Sequence, residues 1–357
     1  MTEFLKSLPL QQIEGRVSQQ LKPRERLLDV LDGKSVDRPP TFCSGCSQTV
    51  TVECMEAVKT YWPDAHKDAE KMAKLSASVY PLTGLEVAGV PYCLTVEAEA
   101  LGCTIMWGQE IDAIPQVLQT PYKTPSEIQV PTNFLNLKRV PVIIQAVRTL
   151  KQNFQGELPI VAGVTGPFSL AGHLLGIENL LKWVITNPKN VQEAVDKTSE
   201  TGIIFGKAVK EAGADVILIA DPSASSSLIS PKTFKAFVKP AITKIVESVR
   251  GNTFLHICGN ANPILTEMAE TGVNAISIDE NVDIQKAKAL LGEKVKIAGN
   301  VSTTTTLLLK APDDVKLACK KALEAGVDIL APGCGIAPRT PNMNIKALVE
   351  TAQQFHT

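Results

Sequence analysis

From residue 40 onward, short apolar runs alternate with longer stretches of helical periodicity. The short runs are PTFCSG, GLEVAGV, PIVAGV, ADVILIAD, TFLHICGN, NAISIDE, VKIAGN and VDILAPG, and each reads as a strand. Most are followed by helical segments such as ENLLKWVI, NVQEAVDKTSETGIIFGKAVKEAG, SPKTFKAFVKPAITKIVESVR, NPILTEMAETG, IQKAKALLG and PDDVKLACKKALEAG. Strands that alternate with helices of this length predict parallel βαβ units, and eight of them predict an α/β protein built as a (β/α)8 TIM-type barrel. The count rests most heavily on the first two strands.

Three segments depart from the rhythm. Residues 1–20 are polar and read as an N-terminal extension, which leaves 21–357 as one barrel domain. KPRERLLDVLDGKSVDRPP reads as a helix that stops at Gly33, followed by a proline-enforced extended stretch. Residues 92–137 read as an insertion of hairpins and loops over the barrel. No repeat, linker, Gly-x-Gly-x-x-Gly or P-loop pattern interrupts the chain, so nucleotide binding has no support.

Composition narrows the function classes. The 357 residues are 44% hydrophobic, enough for a large core. Thirty-six basic residues against 37 acidic ones give no field for nucleic acid or anionic lipid. The N-terminus lacks a signal-peptide core and no apolar run approaches the ~18 residues of a membrane span, so a cytoplasmic location is expected. Eight cysteines scattered along so long a chain predict reduced thiols, some of them metal ligands.

In a barrel of this type, polar residues at the C-terminal strand ends share one basin. Asp221, His256, Cys258, Asp279, Glu280, Asn300 and Cys334 all fall there. His256 and Cys258 are two apart, so on a strand they face the same side. Cys334 lies in APGCGIAPRTP, a shaped turn and not a core run. One imidazole and two thiolates make a zinc site with a fourth position open. The competing reading is packing, a hydrogen-bonded core histidine beside small buried cysteines. A carboxylate from the next strand is the natural holder of the fourth position, with Asp279 first and Glu280 second; a helix cap or solvated turn is the alternative. Cys43 and Cys46 form a CxxC without a second pair, which reads as coincidence or an accessory role. His66, His173 and His356 offer no comparable constellation.

RERLLDVLDGKSVDRPP, VTGPFSLAG, DPSASSSLISPKTFKAFVKP, the GN of VKIAGN and PGCGIAPRTPNMNIKAL together resemble the uroporphyrinogen decarboxylase superfamily. HICGN, PGCG and TVEAEALGC narrow the resemblance to its methylcobamide:coenzyme M methyltransferase branch. The resemblance implies that His256, Cys258 and Cys334 bind zinc and that the thiol of coenzyme M takes the open position. A free thiol titrates near ~8.5, and coordination by a cation removes its proton. It further implies a methyl donor of the methylcobalamin type, a corrinoid carried by a separate small protein. Asp221 and Asn300 are candidates to orient the substrate or a ligand, against a role as helix caps. For the sulfonate of coenzyme M, Arg339 and the Ser223 to Ser227 run are the candidates. The alternative within the superfamily is a metal-free decarboxylase, but PTFCSGCSQ stands where the arginine-rich motif of true decarboxylases is expected. A different thiol or tetrahydrofolate as acceptor, or a non-catalytic corrinoid or zinc binder, are the other readings.

Overall fold

The computed structural model describes residues 21–43, 45 and 48–355. The polar extension at 1–20, Cys46 and His356 lie outside the described residues. Seven parallel strands form one sheet: β1 (Ala88–Val90), β4 (Ile160–Thr165), β5 (Val216–Ala220), β6 (Asn252–His256), β7 (Ala275–Ser277), β8 (Lys296–Val301) and β9 (Ile329–Pro332), hydrogen-bonded in that order. Every residue of β4 and β5 is buried, as expected for strands with both faces covered. Seven of the eight expected strands are therefore present. The eighth segment, PTFCSG, forms a single parallel bridge from Thr41 to Leu330 of β9, with Leu330 N–H donating to Pro40 O at 3.0 Å. Prolines at 39 and 40 leave this stretch few donors, which limits the length of its ladder.

The N-terminal helix, Pro23–Leu31, has proline in its first turn and Glu25 closing back on the Lys22 backbone. Its Arg26 is 1% exposed. Arg26 donates from Nη1 to Glu86 at 2.6 Å and from Nε to Asp37 at 2.7 Å, and Arg38 donates from Nη2 to the same Glu86 at 2.7 Å. Glu86 also accepts the Thr41 N–H at 3.1 Å. One buried carboxylate thus fastens the helix and the Pro-rich segment beside β1.

Between β1 and β4 the chain leaves the sheet. It forms the antiparallel pair β2 (Thr104–Met106) and β3 (Gln116–Gln119) within the stretch expected to hold hairpins. Among the described residues, no helix is long and apolar enough to cross a membrane.

Candidate metal centre

β6 ends at His256, which sits between Ala220 of β5 and Ser277 of β7 in the sheet register. The imidazole is 1% exposed. Its Nδ1 lies 2.8 Å from Ser277 Oγ, while Nε2 is buried and has no hydrogen-bond partner. A buried nitrogen in that condition is costly unless something fills it. With the proton on Nδ1, donated to Ser277, the Nε2 lone pair is free to bind a cation.

The two thiols meet it there. The ligand atoms of His256, Cys258 and Cys334 all lie within 4.8 Å of one another, and this is the one such group of three among the described residues. Cys334 follows β9 on a loop whose flanking glycines are needed for close approach. A Cβ on Gly333 would lie 2.9 Å from Asp279 Cα, and one on Gly335 would lie 3.0 Å from Gln48 Cβ. PGCG is thus the sequence that lets the loop press against the end of β7 and deliver its thiol. Hydrogen bonding to Cys334, followed by burial, pushes the Cys258 thiol well above its ordinary value, and the same contact lowers Cys334.

The other strand-end residues take different places. Asp279 lies outside the group of three, and its oxygens are hydrogen-bonded: one accepts the Gly259 N–H, the other accepts Asn281 N–H at 2.9 Å and Asn281 Nδ2 at 3.1 Å. It holds the loop that carries Cys258. Glu280 accepts from Ser302 Oγ at 2.8 Å. Asn300 donates to Val282 O at 2.9 Å and so ties down the turn after β7. Asp221 is fully buried and accepts from Phe168 N, Ser169 N and Ser169 Oγ at 3.1, 2.7 and 2.6 Å. It caps the neighbouring helix Pro167–Leu175, not the segment that follows it in sequence. Of the serine run, Ser227 Oγ accepts the Asn260 N–H at 3.4 Å. Arg339 is 59% exposed and pairs with Asp112 at 2.5 Å, joining the Cys334 segment to the insertion. Cys43 donates to Gln48 O at 3.2 Å, and burial pushes its thiol up to about 12, so it stays neutral.

Cys334 also lines a cavity of about 340 Å3. Gln48 and Ile336 share its wall, and the insertion contributes Tyr92, Thr95 and Val117. Two features here were not read from the sequence. Ser277 looked like part of the apolar run NAISI, and only its register opposite His256 gives it a role. Cys93 and His173, which also line the cavity, carry no spacing signal of their own.

A profile of the family described as uroporphyrinogen decarboxylase (URO-D) matches residues 22–355. The chain is 42% identical over 335 residues to the methylcobamide:CoM methyltransferase MtaA of Methanosarcina barkeri, covering 93% of this chain and 98% of that one. The chain belongs to the uroporphyrinogen decarboxylase family, in its methylcobamide:coenzyme M methyltransferase branch. The methylcobamide:CoM methyltransferase MtbA of Methanosarcina acetivorans is 39% identical with the same shares covered. Among solved structures of the family, a methyltransferase from Methanosarcina mazei superposes with a TM-score of 0.91 at 41% identity, over 94% of this chain and 99% of that one. Family membership and the parallel α/β sheet therefore agree with what the motifs led one to expect.

Proposed function

We propose that this enzyme transfers a methyl group from a methylated corrinoid, presented by a separate corrinoid protein, to the thiol of coenzyme M. Zinc would be held by His256 Nε2, Cys258 Sγ and Cys334 Sγ. The observation that carries this reading is the buried, partnerless Nε2 of His256 facing two thiols. One nitrogen and two sulfur donors suit zinc, and three protein ligands leave a fourth position for the acceptor. When bound there, zinc supplies a positive charge that takes the place of the thiol proton and keeps the acceptor sulfur as thiolate at neutral pH.

The protein's own groups do the rest. Ser277 fixes the tautomer and orientation of His256. Asp279 holds the Cys258 loop, and Gly333 and Gly335 let the Cys334 loop close on it. The cavity beside Cys334 admits a small thiol between largely apolar walls. The net reaction forms a carbon–sulfur bond and breaks the cobalt–carbon bond; cobalt leaves as Co(I) and the thiol proton passes to solvent.

Uroporphyrinogen decarboxylation fits less well. That chemistry asks for free cations to meet several substrate carboxylates, whereas Arg26 and Arg38 of the N-terminal motif are committed to Glu86 and Asp37. The reading also takes PTFCSG as the first strand of a closed eight-stranded barrel in one domain. The Thr41 bridge to β9 and the hold of Glu86 on the Thr41 N–H support this.

Metal analysis with a methylcobalamin assay tests the function. About one zinc per chain is expected. Cys258→Ala and Cys334→Ala should each lose the metal and the methylation of coenzyme M together. Full activity in a metal-free preparation refutes the assignment.

A further inference from the structure

Burial acts on several thiols of this chain as on any buried acid. It pushes Cys43, Cys103 and Cys319 up to about 12, so they stay protonated at neutral pH. Cys93 is also buried, at 3% exposed, yet its surroundings are of another kind. Arg139, 4% exposed, donates from Nη1 to Cys93 Sγ at 3.4 Å and from Nη2 to Thr95 Oγ1 at 2.9 Å. Glu99 accepts from its Nε at 2.5 Å and holds the guanidinium in place. Thr95 Oγ1 lies 3.3 Å from the same sulfur. With one lone pair engaged by Arg139, that hydroxyl is set to donate its hydrogen to Cys93.

The third group is His66. Its imidazole lies against Cys93 and packs edge-on to Tyr92, the preceding residue, at 5.7 Å between ring centres. It is fully buried, and neither ring nitrogen makes a well-aligned hydrogen bond. A buried imidazole in that state is costly unless a partner satisfies it, and a thiolate beside it is such a partner. One nitrogen is open to take the proton that the thiol gives up. Three donors thus converge on one sulfur, an arrangement that favours its charged form. Burial raises the Cys93 thiol, but the charge of Arg139, then His66 and Thr95, outweigh it and bring the group down to about 5. The sulfur is also within reach, since Cys93 lines the cavity that Cys334, Gln48 and Val117 share.

We propose that Cys93 is a modification site, where a small disulfide entering the cavity is exchanged for a mixed disulfide that closes the cavity to the acceptor thiol. The step balances between the two reactants. The Cys93 thiolate attacks one sulfur of the disulfide, a new S–S bond forms as the old one breaks, and the other sulfur leaves as a thiolate that takes a proton from solvent. Cys93 is oxidised and the departing sulfur is reduced. The same surroundings act on the return: a sulfur that is stable as a thiolate leaves readily, so an incoming thiol restores the enzyme. The exchange itself needs no metal and stands apart from the methyl-transfer reading; only the loss of activity rests on that reading.

The test treats the zinc-loaded enzyme with 2-hydroxyethyl disulfide and maps the adduct by peptide mass. An adduct is expected at Cys93, forming at least about tenfold faster than at Cys43, Cys54, Cys103 or Cys319, which burial keeps protonated. Zinc should stay bound, methyl transfer from methylcobalamin to coenzyme M should fall in step with the adduct, and dithiothreitol should restore it. Cys93→Ser and Cys93→Ala, checked for folding by their zinc content, should each keep their own starting activity under the same treatment. No adduct at Cys93, an adduct that leaves activity intact, or inactivation that persists in both variants overturns the proposal. An enzyme that takes the adduct at Cys93 but transfers no methyl group before treatment overturns the function above and leaves the modification site standing.

Discussion

Ser277→Ala isolates the contact that prepares His256. The hydroxyl lies 2.8 Å from Nδ1, is fully buried, and has no other hydrogen-bond partner among the described residues. Removing it leaves both ring nitrogens of a 1% exposed imidazole without a protein partner. Partners of this kind around metal-bound histidines are worth roughly 10- to 100-fold in metal affinity, or about 1.4–2.7 kcal/mol. The weakening arises because nothing then holds the proton on Nδ1, so the ring divides its time between tautomers and orientations that do not present Nε2. Zinc affinity measured by competition with a chromophoric chelator should fall within that range. Unfolding of the metal-free variant shows separately what the lost hydrogen bond costs the fold. An unchanged zinc dissociation constant would refute the argument that Ser277 sets the tautomer.

Two further outcomes follow from buried charge. Glu86→Gln removes the carboxylate that Arg26 and Arg38 share, and should destabilise the protein by roughly 3–5 kcal/mol in urea unfolding, with no direct effect on metal affinity. His173 has its folded pKa lowered by burial to about 4, below the ordinary value of 6.5. Its contribution is therefore fully present above about pH 6.5 and is lost as pH falls through about 4, up to roughly 3 kcal/mol. His173→Gln should flatten that part of the stability profile, and equal acid slopes in the two proteins would contradict the assignment.

The cluster of His256, Cys258 and Cys334 could be read from the sequence because each part left a separate trace. His256 and Cys258 share a strand face by simple alternation, and Cys334 carries its glycines beside it. The alternation of strand and helix placed all three at the same end of the sheet. What escaped depended on register or on contacts across the fold. Ser277 matters because β7 sets it beside His256, and no local pattern marks that. Arg339 is five residues from Cys334 yet turns to Asp112, a partner 227 residues away. Asp221 accepts from the first turn of the neighbouring helix, a contact set by the adjacency of strand ends and marked by nothing in its own segment. Asp279, expected as the carboxylate beside the three, accepts from the loop carrying Cys258, a contact that no local pattern marks. The described residues of PTFCSG make one bridge in place of a full strand, since Pro40 supplies no N–H and Glu86 takes the Thr41 N–H.

The cavity wall has an implication for how such enzymes diversify. Cys334 and its glycine loop belong to the sheet scaffold, whereas Tyr92, Thr95 and Val117 belong to the excursion between β1 and β4. The group of His256, Cys258 and Cys334 and much of the cavity wall beside it are therefore carried by separate stretches of chain. Exchanging the excursion between relatives would change that wall and leave His256, Cys258 and Cys334 in place.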